Sequence, residues 1–277
     1  MTDNILEVKG LTKRFGSFTA VDTVDISIRT GTIHAVIGPN GAGKSTLFKL
    51  ITGVEVPSAG KVFLRGESIG SKKPHVVVRK GLVQVFQMSS VFTRLTVLES
   101  VLVGMIANKR HGFDVVSRYG RGLEDSAREL LGRVGISELG DRFAGELSHG
   151  DQRALELAMA LSTNPNVLML DEPTAGMSPA ETAVIAALIV SEARTRGITV
   201  VLSEHDMDVI FGISDHITVL HQGKVIADGA PEAIREVPEV MAVYLGVENK
   251  NHGDRGQRAK IDPQGQGQIV DGTQRWT

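Results

Sequence analysis

The sequence predicts an α/β fold with a parallel or mixed sheet, because short β-rich runs alternate with helical patterns along most of the chain. The apolar run at residues 33–37 leads directly into a glycine-rich turn, and an amphipathic helix pattern over 44–52 follows. The apolar run at 167–170 is typical of a strand that is buried on both faces. Between these strands, at about 96–163, the pattern is mostly helical. We therefore expect a helical insertion at about 88–163 inside one α/β domain.

The other elements are predicted from the helical and the alternating strand patterns of apolar residues. Residues 181–194 have an amphipathic helical pattern, with Val184, Ile185, Leu188 and Ile189 expected on the buried face. Further strands are predicted at 5–9, 24–29, 61–64, 82–86, 199–202 and 217–220. These strands lie on both sides of the helical insertion in the chain, as expected for a sheet that continues past it.

The composition excludes several classes of protein. The chain has 277 residues, of which 42% are hydrophobic and 22% charged, so it can bury a large core. A formal net charge of −2 argues against a domain that binds nucleic acid through bulk positive charge. The absence of cysteine excludes a disulfide scaffold, a thiolate metal site and a cysteine nucleophile.

The sequence carries no membrane or export signal that we can identify. No run reaches the ~18 consecutive apolar residues of a membrane span. The first residues lack the basic and then apolar pattern of a signal peptide. We expect a cytoplasmic protein that works at a membrane only by docking onto another protein. Residues 247–277 are rich in glutamine and glycine and poor in apolar side chains, so we expect a disordered tail there.

The strongest chemical signal is the loop GPNGAGKS at residues 38–45, which matches the phosphate-binding pattern G-x-x-x-x-G-K-[ST]. Its three glycines let backbone N–H groups point inward and form an anion-binding nest at the start of a helix. Lys44 is expected to reach the β- and γ-phosphates, and the Ser45 hydroxyl to bind Mg²⁺. The loop predicts a nucleoside-triphosphate binder, although such loops serve many unrelated reactions.

Two carboxylates follow the apolar strand at 167–170. A parallel strand delivers the residues at its carboxyl end to the edge of the sheet where ligands bind. Asp171 is expected to hold Mg²⁺ through water, and Glu172 to act as the general base for the attacking water. Two acids alone also fit a solvated strand end, but the phosphate loop upstream favours the catalytic role.

The segment LSHGDQR at 147–153 opens an apolar helix before that strand. Ser148 is a good N-cap, and the turn from Ser148 to Gly150 offers free N–H groups to an anion. From these residues alone, an ordinary capped helix is the simpler interpretation.

These three motifs, in this order, resemble those of the ATP-binding subunits of ABC (ATP-binding cassette) transporters. Residues 38–45 resemble the Walker A loop of that family, and VLMLDE at 167–172 resembles its Walker B strand. LSHGD at 147–151 resembles the family signature LSGGQ. The combination is specific, and the resemblance covers an ABC ATPase domain at residues 4–246.

Three further positions match parts of the same family. Gln87 follows a predicted strand and precedes the helical insertion, where the Q-loop glutamine falls. His205, at the end of the predicted strand 199–202, matches the switch histidine. Phe15 matches the aromatic residue that stacks on adenine.

The resemblance implies a P-loop NTPase core with an inserted helical subdomain and an N-terminal antiparallel β-subdomain. It also implies the site residues. The catalytic residues would be Glu172, His205, Lys44 and Gln87, and those at the Mg²⁺ ion would be Ser45, Gln87 and Asp171. ATP would be contacted by Phe15, Gly38, Pro39, Asn40, Gly41, Ala42, Gly43, Lys44, Ser45, Thr46, Ser148 and Gly150.

A head-to-tail dimer is a further implication of the resemblance. ATP would lie between the Walker A loop of one chain and Ser148 and Gly150 of a second ATPase chain, either identical or related. The helical insertion would face transmembrane permease subunits, at the cytoplasmic face of the inner membrane. Nucleotide binding and hydrolysis would then move the permease.

Several segments resemble one subfamily more closely. They are TAGMSP, EHDMDVIF, HQGKVIADGAPEAIR and YLG. The resemblance is to ATPase subunits of branched-chain amino acid importers, with urea/amide importers as near relatives. It implies import with two permease proteins and a periplasmic binding protein.

Three positions depart from the usual family pattern. His149 replaces one of the two signature glycines and Asp151 the signature glutamine. Ser178 replaces the aspartate of the SALD loop, which helps to link the two nucleotide sites of the dimer. The strength of coupling between the sites therefore stays open.

Two other classes compete with the transporter interpretation. A soluble ABC-type ATPase, such as an Fe–S assembly factor, shares the same motifs. Repair members carry long coiled coils and translation members two cassettes, and the chain has neither. A different P-loop enzyme, such as a GTPase or a small-molecule kinase, is disfavoured because Asn108 and Lys109 are not followed by the rest of an NKxD motif.

Overall fold

The computed structural model of the chain describes residues 3–85, 92–107, 115–240 and 242, with the backbone alone for 115–121. Within these residues there are ten strands and eight α-helices. The strands are β1 (Asn4–Phe15), β2 (Phe18–Arg29), β3 (Ile33–Ile37), β4 (Ala59–Leu64), β5 (Glu67–Ser68), β6 (Leu82–Val85), β7 (Val167–Asp171), β8 (Thr199–Ser203), β9 (His216–His221) and β10 (Lys224–Gly229). The helices are α1 (Lys44–Ile51), α2 (Pro74–Arg79), α3 (Val97–Ala107), α4 (Val115–Arg133), α5 (His149–Ser162), α6 (Pro179–Arg196), α7 (Met207–Ile213) and α8 (Pro231–Arg235).

The strands form two sheets. An N-terminal antiparallel sheet has the order β2-β1-β4-β5, and a second sheet has the order β10-β9-β3-β8-β7-β6. In the second sheet, the strands from β9 to β6 are parallel, and β10 pairs antiparallel with β9 at one edge. The carboxyl ends of β3, β7 and β8 therefore lie next to one another, which brings the residues that follow these strands to one edge.

The parallel sheet separates two hydrophobic cores. Alternate residues of β3 point to opposite faces, so Ile33, Ala35 and Ile37 pack with the helical region, whereas Val36 packs with α1 and the N-terminal sheet. Phe48 of α1 is fully buried in the second core. Helix α1, which begins at the phosphate loop, is therefore anchored by its apolar face.

The predicted fold class is confirmed, including the N-terminal antiparallel sheet. Strand β3 has the predicted bounds, and β1 and β2 are longer than predicted because they form one twelve-residue hairpin arm each. Helices α2, α7 and α8 and strands β5 and β10 were not predicted; β5 has only two residues and α8 only five. The boundaries of the helical insertion and of the tail stay predictions, because 86–91, 108–114 and 243–277 lie outside the described residues.

The predicted buried face of α6 was wrong at one position. Val184 is 66% exposed, whereas Ile185 and Ile189 are buried as expected. Successive helical residues are about 100° apart, so Val184 falls outside the stripe that faces the core. That stripe consists of Thr182, Ile185, Ala186, Ile189 and Ala193.

A search for membrane spans in the described residues finds no helix with the length and apolar character needed to cross a bilayer.

A buried histidine lies in the strand that leads to the phosphate loop. His34 of β3 makes a 2.7 Å hydrogen bond through Nε2 with Thr218 Oγ1, and its ring centroid is 4.9 Å from that of His216. Burial lowers the pKa of His34 to about 4, and the charges of His216 and Arg29 act in the same direction, against Asp228. His34 is therefore neutral at pH 7.

We expect His34 to make the fold less stable in mild acid. The unfolded state binds a proton near pH 6.5, but the folded state binds it only near pH 4, so the free energy of unfolding falls as the pH drops through this window. By pH 5 the loss attributable to His34 should be about 2 kcal/mol. Urea unfolding at pH 7.5 and pH 5 of the wild type and of His34→Gln, which does not titrate, measures it. An equal loss in both proteins would contradict the assignment.

Candidate active site

The loop between β3 and α1 has a backbone that requires glycine. Gly38, Gly41 and Gly43 have φ values of 152°, 80° and 104°. A Cβ atom on Gly43 would lie 2.4 Å from the carbonyl oxygen of Ala20, so glycine is also needed for space. The loop curls over the N-terminus of α1, where helix N–H groups are free to bind an anion.

Lys44 points back into this loop. Its Nζ donates to the carbonyl oxygens of Gly38, at 2.6 Å, and Pro39, at 3.2 Å. Burial lowers the pKa of Lys44, and the negative charges of Glu172 and Asp171 oppose that shift. The ammonium is thus held by neutral carbonyls at the place where a phosphate would present stronger, charged acceptors.

An open pocket of about 230 Å³ lies above the loop. Its walls come from the loop, from the end of β7 and from β2. The lining residues are Phe18, Ala20, Asn40, Gly41, Ala42, Gly43, Lys44, Ser45, Thr46 and Glu172. Seven of the residues predicted to contact nucleotide, and the predicted general base, therefore share one pocket.

The aromatic residue that lines this pocket is Phe18, which was not predicted. Phe18 and Ala20 alternate on β2 and so face the same side. Phe15 lies opposite Phe18 across the hairpin, and the Nζ of Lys13 is 4.9 Å from the centroid of its ring. In the sequence, the signal for this role of Phe18 was an aromatic residue two positions before a small residue, Ala20, at the tip of a hairpin.

Asp171 and Glu172 meet the end of the neighbouring strand. Asp171 pairs with Ser203 in the β7–β8 register, and Ser203 Oγ donates to Asp171 Oδ1 at 2.6 Å. The Nε2 of His205 is 2.6 Å from Glu172 Oε1. The structure thus brings together Glu172 and His205, which are 33 residues apart in the chain.

The signature segment at 147–151 does not line this pocket. Ser148 caps α5, because its Oγ accepts from the N–H of Asp151 at 3.2 Å and donates to Asp151 Oδ2 at 2.6 Å. Neither Ser148 nor Gly150 lines the pocket of its own chain. Ser178 caps α6 in the same way through Glu181, so two of the departures from the family pattern complete helix caps.

Gln87 lies outside the described residues. Its predicted role is therefore neither supported nor contradicted by the geometry.

A comparison with family models decides the class of protein. The model of the ABC transporter family matches residues 21–175, more than half of the chain. The chain belongs to the ABC transporter family. As an ABC ATPase it binds ATP, which confirms the prediction from the phosphate loop and excludes the GTPase and kinase alternatives.

Known cassettes resemble this one over most of their length. The high-affinity branched-chain amino acid transport ATP-binding protein BraF of Pseudomonas aeruginosa is 41% identical, over 89% of this chain and 99% of BraF. The ADP conformation of MJ1267, an ATP-binding cassette of an ABC transporter, is 33% identical with a TM-score of 0.78, over 88% of this chain and 100% of that one. A dimeric post-hydrolysis structure of the cassette MJ0796, bound to ADP and Pi, is 25% identical with a TM-score of 0.72, over 82% of this chain and 98% of that one.

The oxygen ligands that the cassette offers fit Mg²⁺ only together with the phosphates of a nucleotide. Ser45 lines the pocket, and Asp171 lies at the adjoining strand end. Among the described residues, no cluster of three or more His, Asp or Glu side chains could hold a metal alone. Mg²⁺ usually keeps waters and takes substrate phosphates as ligands, so one hydroxyl and one carboxylate are a suitable set.

We expect Phe18→Ala to weaken ATP binding by the ~1–3 kcal/mol of one aromatic contact. Titration with a fluorescent adenine nucleotide measures the loss, and Phe15→Ala in the same assay tests the role predicted for Phe15. Phe143→Ala is the matched control, because Phe143 is 50% exposed, Phe18 is 63% exposed, and Phe143 does not line the pocket. Similar affinity in Phe18→Ala and Phe143→Ala would contradict the assignment.

Proposed function

We propose that this cassette is the ATP-hydrolysing subunit of an importer for branched-chain amino acids. The observation that carries the proposal is the 41% identity to BraF, which is described as a branched-chain amino acid transport protein. That alignment spans 89% of this chain and 99% of BraF. It therefore extends well beyond the nucleotide motifs that all cassettes share.

The pocket and the strand ends beside it support a mechanism for ATP hydrolysis. Lys44 binds the phosphates with its ammonium group, and the glycine loop adds backbone N–H donors. Glu172 takes the proton of the attacking water, and His205, at 2.6 Å from its carboxylate, holds that water and the γ-phosphate in place. Ser45, Asp171 and Gln87 would hold Mg²⁺, which would supply positive charge to the phosphate oxygens.

A second chain completes the site in this proposal. Ser148 and Gly150 lie at a helix N-terminus that is suited to a phosphate but does not line its own pocket. The structure of MJ0796 bound to ADP and Pi is dimeric, which supports a two-chain arrangement. In our proposal each cassette supplies this segment to its partner. Charge stabilisation is then complete only when two chains meet, which couples hydrolysis to closure.

The permease contact in our proposal is made by the helical insertion. Helices α3, α4 and α5 pack together and against the parallel sheet, so movement at the sheet edge is transmitted to them. The chain would lie at the cytoplasmic face of the membrane, bound to permease subunits that receive solute from a periplasmic binding protein.

We expect Glu172→Gln to bind ATP and to lose turnover by about 10²–10⁴-fold. The amide keeps the size of the side chain but cannot take a proton. Phosphate release and nucleotide titration measure the two effects separately. Lys44→Ala should instead lose ATP binding, because the phosphates lose a charged donor. Unchanged phosphate release in Glu172→Gln would rule out its role as the general base.

Co-purification tests the transport proposal. Tagged Glu172→Gln protein would be recovered from native membranes in mild detergent with ATP and Mg²⁺, with Lys44→Ala as the control that cannot form the ATP-bound dimer. The proposal is supported if permease subunits are recovered and if they take up branched-chain amino acids in a transport assay. If the recovered permeases transport urea or amides instead, the proposed solute is wrong but the transporter assignment stands. Recovery of soluble partners alone would overturn the transporter assignment.

A further inference from the structure

Glu172 has a strained backbone. Its φ angle is 51°, in the left-handed region that residues other than glycine rarely adopt. Such a conformation is strained and persists only where neighbouring contacts hold it. Because Glu172 follows β7 directly, this turn sets the direction in which its carboxylate leaves the strand.

The end of β8 holds one side of this strained turn. The backbone N–H of Glu172 donates to the carbonyl oxygen of Ser203 at 3.0 Å and to its Oγ at 3.2 Å. The same Oγ donates to Asp171, and Ser203 is fully buried. These contacts fix the start of the loop but not its continuation beyond Glu172.

A buried carboxylate holds the other side. Glu204, only 4% exposed, accepts from the backbone N–H of Thr174 at 2.8 Å and from the Thr174 hydroxyl at 2.7 Å, both at Oε1. Its second oxygen, Oε2, accepts from the backbone N–H of His205 at 3.2 Å. One side chain therefore joins the loop that carries Glu172 to the loop that carries His205.

We propose that Glu204, together with Thr174, is a positioning residue for ATP hydrolysis. It keeps Glu172 in its left-handed conformation and keeps the Glu172 carboxylate within hydrogen-bond reach of His205. A carboxylate suits this task because it accepts several hydrogen bonds at once, and its burial strengthens them. The inference rests on the proposed role of Glu172 in hydrolysis.

The test compares Thr174→Val with Thr174→Ser. Valine keeps the shape of the side chain but removes the hydroxyl that donates to Glu204, whereas serine retains it. We expect Thr174→Val to lower kcat about tenfold while the Kd for ATP stays unchanged, and Thr174→Ser to restore kcat. In nucleotide-free protein, the NMR signals of the His205 imidazole should shift in Thr174→Val and return in Thr174→Ser.

Glu204→Gln is the second variant. One oxygen remains for Thr174, but the amide NH₂ would face the N–H of His205, so this contact is lost. We expect kcat to fall about tenfold with the Kd for ATP again unchanged.

Thr218→Val is the matched control for stability. Thr218 is a buried threonine in β9 whose hydroxyl bonds Asp228 and His34, outside the pocket. We expect the Tm to fall in both threonine-to-valine variants, but in Thr218→Val kcat and the His205 signals should stay unchanged.

The outcomes separate this inference from the proposed function. If the wild type hydrolyses ATP and Glu172→Gln does not, a kcat of Thr174→Val and Glu204→Gln equal to that of the wild type overturns the inference alone. An equal fall of kcat in Thr218→Val also overturns it, because the effect would then follow stability. A wild type that hydrolyses ATP as fast as Glu172→Gln overturns the proposed role of Glu172, and the inference with it.

Discussion

The close packing of the phosphate loop against two backbone segments is the constraint on which the rest of the structure depends. A side chain on Gly38 would meet the carbonyl oxygen of Leu220 at 2.1 Å, and one on Gly43 would meet that of Ala20 at 2.4 Å. The loop is also tied to the β9–β10 turn, because the N–H of Gly223 donates to the carbonyl oxygen of Ala42 at 2.9 Å. The antiparallel hairpin and the parallel sheet can share one nucleotide pocket only because the loop fits between them.

The parts of the site that could be predicted are those in which a reaction needs a particular residue in a particular chain context. Lys44 follows a glycine loop between a strand and a helix, and Asp171 ends an apolar strand, so both could be placed from the sequence. Their proximity to His205 could also be expected, because parallel strands end at one edge.

The remaining residues of the site could not be identified in this way. Phe18, Ser203 and Glu204 are common residue types at a hairpin tip and a strand end, where each has many uses. Their roles depend on the register that pairs Asp171 with Ser203 and on the face of β2 that Phe18 shares with Ala20. Val184 was misplaced for a similar reason, since an apolar side chain fits a helical pattern even where the helix exposes it.

The N-terminal hairpin of β1 and β2 is attached to the chain near both ends of α1. Besides its contact with the Phe15 ring, Lys13 forms an ion pair with Glu55 at 2.8 Å and donates to the carbonyl oxygen of Val56 at 2.8 Å, just after α1. The phosphate loop is attached to the opposite end of the same helix. The eight residues of α1 span about 12 Å at the usual rise per residue. The hairpin that carries Phe18 is therefore fixed near both ends of α1, by Ala20 against the phosphate loop and by Lys13 beyond the helix, so the aromatic wall of the pocket cannot shift independently of the loop.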